Sequence, residues 1–170
     1  MSRRPVLIAL AAVFVSVVLQ TTMFGDGRIQ PLGASPLLVL AVVIASVRYL
    51  DAEPALLLGF TAGLLLDLLG GSPLGLWAIV HLVIAYIVLR IRPRFDDGAP
   101  MIAVSVFLLA MLAQGLFLVE STLFGQRLLS SNGIMKQLFL PSIYTMLLAA
   151  LIVPLMTRLL RAQTMGSWLR

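Results

Sequence analysis

Asp67, His81, Gln114 and Glu120 are polar side chains set inside long apolar stretches, and they are the first places to look for chemistry. Asp67 stands in Leu64-Leu65-Leu66-Asp67-Leu68-Leu69, where a carboxylate facing lipid near the bilayer centre would cost about 2.5 kcal/mol or more. It must therefore face inward or toward water. Three roles fit such a group: a satisfied structural contact or helix-end acid at the water interface, a contact to a partner helix, and a proton or ligand site. Gln20, Glu120 and Lys136 are its candidate partners at comparable depth. His81 is the single histidine, and there is no cysteine, so a metal set would have to be mostly carboxylate. A hydrogen-bonded core residue is its ordinary reading, and Gln114 can likewise join two helices. Disulfides, thiolate nucleophiles and sulfur-ligated metals are excluded. The sequence has no Gly-x-Ser-x-Gly elbow, P-loop or zinc-protease helix, and Asp67 and Glu120 alone do not define an active site. The expectation is a protein that is not an enzyme and carries no cofactor or metal.

The richest stretch is Gly59-Phe60-Thr61-Ala62-Gly63-Leu64-Leu65-Leu66-Asp67-Leu68-Leu69-Gly70-Gly71-Ser72-Pro73-Leu74-Gly75. At 100° per residue, Gly59, Gly63 and Asp67 fall within roughly 80° of one another on a helix. Glycines four apart let two helices approach closely, which matters where lipid supplies no hydrophobic drive between them. That face can pack inside the protein's own bundle or receive another protein's helix.

These residues need elements to position them, and composition says what kind. With 61% hydrophobic and 11% charged residues in 170, and a mean hydropathy of +1.07, there is too little polar surface to cover a soluble domain. Apolar runs able to cross ~30 Å of hydrocarbon recur along the whole chain. We place six spans at about 5–24, 36–50, 54–70, 73–91, 99–124 and 134–160. The second is short. The sixth is long enough that it should tilt, bend at Pro141 or Pro154, or project past the membrane. The first run lacks a small-residue cleavage site and reads as a span rather than a signal peptide. No loop can hold a separate soluble domain, so residues 1–170 are expected to form one multi-pass membrane domain, an all-α six-helix bundle.

Six spans sort the cations. One face receives Arg3, Arg4, Arg48, Arg90, Arg92, Arg94, Arg158, Arg161 and Arg170, and the other Arg28, Arg127 and Lys136, which accounts for all 12. The nine should be cytoplasmic, with both termini. Five spans would destroy this asymmetry. The net charge of +5 is thus read as topology rather than nucleic-acid binding. Arg90-Ile91-Arg92-Pro93-Arg94 is chiefly an orientation signal and secondarily a site for anionic lipid or a cytoplasmic partner. Gly33-Ala34-Ser35-Pro36-Leu37 and Gly70-Gly71-Ser72-Pro73-Leu74 share a Gly-x-Ser-Pro-Leu pattern, explained by a serine cap and a proline at the first helical position.

The stretch from Gly59 to Gly75 resembles the signature of the MreD family, small membrane proteins of the bacterial rod complex: Gly-Phe, Gly-Leu, Asp-Leu, Gly and Leu-Gly stand in the same register. Length, span count and short loops are similar over the whole chain. Leu37 departs from the pattern, because many members carry an acid after that proline. The resemblance implies a non-enzymatic inner-membrane scaffold that binds MreC and, through it or directly, MreB, the glycosyltransferase RodA and a class B penicillin-binding protein during lateral-wall peptidoglycan synthesis. Membrane lipid and a second copy of the chain are further expected partners. Gly59, Phe60, Gly63 and Asp67 become the candidate partner-binding or helix-packing residues, with Gly71 and Gly75 shaping the turn that follows. The family is also similar in fold to the substrate-binding subunits of energy-coupling-factor vitamin transporters, which supplies the rival reading of an importer subunit with an outer pocket lined by Gln20 and Glu120. Span one offers only Ala12-x-x-x-Ser16 in place of the Ala-x-x-x-Ala such subunits use for docking, which lowers that reading. A channel is disfavoured because the mid-membrane stretches are too apolar.

Overall fold

Six helices run through the computed structural model, which describes residues 3–24, 34–70, 73–92, 98–124 and 134–165. They are α1 (Arg3–Met23), α2 (Leu38–Val47), α3 (Ala52–Gly70), α4 (Leu76–Ile91), α5 (Ala99–Leu123) and α6 (Ile134–Met165). No strand occurs among the described residues. Four of the helices, α1, α3, α5 and α6, are long and apolar enough to cross a membrane. Their outer faces carry large apolar side chains such as Leu7, Phe14, Leu108, Leu123 and Leu151. Water would not tolerate that much exposed hydrocarbon, but lipid does. This is a membrane protein.

The short α2 forms the centre. It packs against α1, α3, α4, α5 and α6, and every residue from Val39 to Val47 is buried. A helix that is apolar all round belongs inside a bundle. Its 10 residues rise only ~15 Å. The non-helical residues 34–37 before it add at most ~13 Å more. Backbone of that kind is tolerated at depth only when protein, not lipid, surrounds it. Ala34, Pro36 and Leu37 are accordingly buried.

The helices that follow the two Gly-x-Ser-Pro-Leu segments start later than the serines would place them, and Ser72 itself lies outside the described residues. The N-cap of α2 is Leu37, with no side-chain cap of its own, and that of α4 is Gly75, at φ +103°. Neighbouring helices supply the acceptors instead. At α2, the Leu37 N–H donates to Thr145 Oγ1 of α6 at 2.9 Å, and the Val39 N–H donates to Gln20 Oε1 of α1 at 2.9 Å. The Thr145 hydroxyl itself donates a hydrogen bond to the Pro141 carbonyl at 2.6 Å. At the other end, Arg92 Nη1 donates to the Leu50 carbonyl at 2.7 Å and ties the end of α4 to the exit of α2. The last helix continues through Pro141 and Pro154 for 32 residues, ~48 Å, and so outruns the hydrocarbon.

Candidate functional site

The apolar pattern of α3 selects one face for burial. Ala55, Leu58, Gly59, Ala62, Gly63, Leu66 and Asp67 repeat at steps of three and four and are buried, chiefly against α4. Two glycines set the approach. A methyl group on Gly59 would come within 2.8 Å of Ala85 Cβ and 2.9 Å of the His81 carbonyl oxygen. One on Gly63 would collide with the Trp77 carbonyl and reach 2.5 Å from Ala78 Cα. Since the obstacle at Gly63 is backbone, no rotamer change can relieve it. The helix of the same chain therefore occupies the glycine face.

Asp67 completes the pair. It stands one turn from the end of α3, where helix carbonyls make a poor setting for a negative charge. Its carboxylate instead meets the start of α4, where free amides make a good one. Oδ2 accepts from the Gly75 N–H at 2.9 Å and the Ala78 N–H at 3.3 Å, and Oδ1 from the Trp77 N–H at 3.2 Å. The Leu76 N–H reaches the Pro73 carbonyl at 3.4 Å, and Ile79 N–H makes the first regular helical bond, to Gly75, at 3.0 Å. Every amide of the first turn is thus accounted for. Asp67 is only 3% exposed, so this helix start is satisfied by protein rather than by water. Gly75 is the one described glycine at positive φ, the backbone shape that aims its N–H back at Asp67, and its Cα has open space around it.

Two of the three partners expected for Asp67 from depth are placed elsewhere. Gln20 caps α2, and Lys136 is exposed at the start of α6. Glu120 does lie within electrostatic range of Asp67, as does His81. His81 is fully buried, and its Nδ1 lies 2.9 Å from the Trp77 carbonyl, the tautomer with Nδ1–H donating. The Trp77 indole stacks on Phe117 at 4.3 Å between centroids and meets the His81 ring edge-on at 5.7 Å. Phe117, Glu120 and Ser121 share one face of α5 by their three- and four-residue spacing. Around this joint, His81 Nε2, Glu120 Oε2 and Ser121 Oγ are buried without a hydrogen-bond partner among the described residues. No group of three or more His, Asp or Glu side chains poised for a metal occurs among the described residues.

Phe60 lies at the edge of the glycine face, about 60° around α3 from Gly63, and is 40% exposed, next to the outward-facing Leu57 and Leu68. Gly71 lies outside the described residues. Trp77 and Thr145 are structural partners that residue-type reasoning did not single out. Trp77 enters through its amide and carbonyl, which every residue has, so its residue type carried no signal for this role.

The description "rod shape-determining protein MreD" matches residues 2–163 of the 170. The chain belongs to the MreD family. No curated protein and no solved structure matches significantly, and likeness to vitamin-transporter subunits is not shown. MreD membership makes this a membrane protein of the rod-shape machinery, in a family described by shape determination and not by catalysis. Within this MreD chain, the stretch that carries the resemblance, Gly59 to Gly75, is the joint between α3 and α4.

Proposed function

We propose that this protein is a non-enzymatic scaffold of the rod complex: it holds MreC in the inner membrane and supports lateral-wall peptidoglycan synthesis. MreB, RodA and the class B penicillin-binding protein are engaged through MreC or directly. The family match over residues 2–163 is the observation that carries this reading. The chain crosses the membrane six times as one domain, with both termini cytoplasmic, in keeping with the cation split of nine to three. Gly59, Gly63 and Asp67 act by helix packing, with Gly71 and Gly75 turning the chain between α3 and α4. The resulting rigid pair presents Leu57, Phe60 and Leu68 outward, each at least 40% exposed, as the surface that meets a partner helix.

Co-purification of MreC in mild detergent tests this reading. Phe60→Ala and Leu57→Ala together should leave the purified protein folded, because Leu57 is 57% and Phe60 40% exposed, and should release MreC. Retention of MreC at the wild-type ratio by the folded double variant contradicts the assignment of this face. If wild type itself captures no MreC, the scaffold reading fails.

A further inference from the structure

A second polar feature lies elsewhere, among α2, α5 and α6. A cavity of about 430 Å³ opens there, within the ~300–1,000 Å³ range of small-molecule sites. Small side chains account for it: Ala103 of α5 faces Ala149 and Ala150 of α6 across the gap. Pro154 lines it too, and because proline has no N–H, the Ala150 carbonyl one turn earlier loses its helical donor. The walls are otherwise apolar, with Ile102 and Val153.

The chemistry changes at one end. Arg48, which follows α2, and Arg158, near the end of α6, both line the cavity, beside Tyr49 and Thr157. The Tyr49 hydroxyl and Thr157 Oγ1 lie 2.9 Å apart and join the two helices there. Two guanidiniums at the mouth of an apolar cleft match a molecule with an anionic head and a hydrocarbon tail. Guanidinium forks suit phosphate oxygens in particular. Both arginines belong to the set of nine that sorts to one face, where anionic lipid headgroups would meet them.

We propose that this cavity binds one anionic phospholipid of the surrounding bilayer, its phosphate between Arg48 and Arg158 and an acyl chain along Ala150 and Pro154. The site goes beyond the scaffold role and does not depend on it. Bound there, the lipid bridges α2, α5 and α6 and fills space that the alanines leave open.

Native mass spectrometry of the full-length protein, released from detergent after equilibration with dioleoyl phosphatidylglycerol or dioleoyl phosphatidylcholine, reads the site. Wild type should retain one phosphatidylglycerol in preference to phosphatidylcholine. Arg48→Gln and Arg158→Gln should each reduce retention on the order of fivefold. Ala150→Phe, an exposed position on the cavity wall, should displace the lipid with no change of charge, which separates the site from any effect of the arginines on topology or folding. Equal retention of the two lipids by wild type overturns the proposal. So does undiminished phosphatidylglycerol on the Arg48→Gln/Arg158→Gln double variant and on Ala150→Phe. If the same substitutions release an acidic protein while lipid retention stays constant, the cleft belongs to that protein and the proposal is wrong.

Discussion

Replacing Asp67 should unfasten the start of α4, and two substitutions grade the effect. Alanine removes the acceptors of the Gly75, Trp77 and Ala78 amides together, at a site only 3% exposed. Each buried amide left unpaired costs about 1–3 kcal/mol. Two of the three bonds are long, at 3.2 and 3.3 Å, which puts them at the low end. The total is about 3 kcal/mol. Asparagine keeps one oxygen, which can still serve Gly75 and Ala78, but turns an NH2 group toward the Trp77 amide and removes the charge at the helix start. That should cost about 1–2 kcal/mol. At about 2–4 °C per kcal/mol for a chain of this size, the midpoint of thermal unfolding falls by ~6–12 °C for Asp67→Ala and by about half that for Asp67→Asn. Circular dichroism at 222 nm in one fixed detergent reads both. An Asp67→Ala midpoint within about 1 °C of wild type, or an Asn variant as damaged as the Ala variant, would refute the capping argument.

The start of α2 should behave in the same way but more mildly: Thr145→Val leaves the Leu37 amide unpaired and should cost about 1–2 kcal/mol, read as a lower unfolding midpoint, while a neutral result would mean another acceptor serves that amide. Gly59→Ala should destabilise by about 1–3 kcal/mol, because the added methyl meets the His81 carbonyl at 2.9 Å. Gly115→Ala in α5 is its counterpart. Nothing lies within 4 Å of the new methyl, so a gain approaching ~1 kcal/mol from helix propensity is expected in the same melt.

The face shared by Gly59, Gly63 and Asp67 was legible, since helical geometry alone puts them on one side. What covers that face was not. Asp67 binds amides eight to eleven residues further on, and a backbone amide has no residue type to betray it. Depth correctly set Glu120 near Asp67, but depth carries no angle about the helix axis. Gln20, at similar depth, points at α2 and not at α3. The serine cap expected at Ser35 failed as a reading of α2 for a related reason, the N-cap there being Leu37. Local capping rules assume that a helix end must find its acceptors nearby in sequence, as water would otherwise serve. In a packed bundle Thr145, 108 residues away, reaches the Leu37 amide instead. The turn before α4 was evident from its glycines and proline, but nothing in the pattern marked Gly75 as needing positive φ.

The central claim, that this glycine face serves the protein's own fold and leaves partners to the outside of α3, is tested most directly by Gly63→Ala in the isolated protein. A methyl there meets the α4 backbone at Trp77 and Ala78, so the purified variant, with no partner present, should lose about 3 kcal/mol and melt ~6–12 °C below wild type. A variant that melts with wild type when alone, yet no longer captures MreC, would show that the face belongs to the partner and contradict the account.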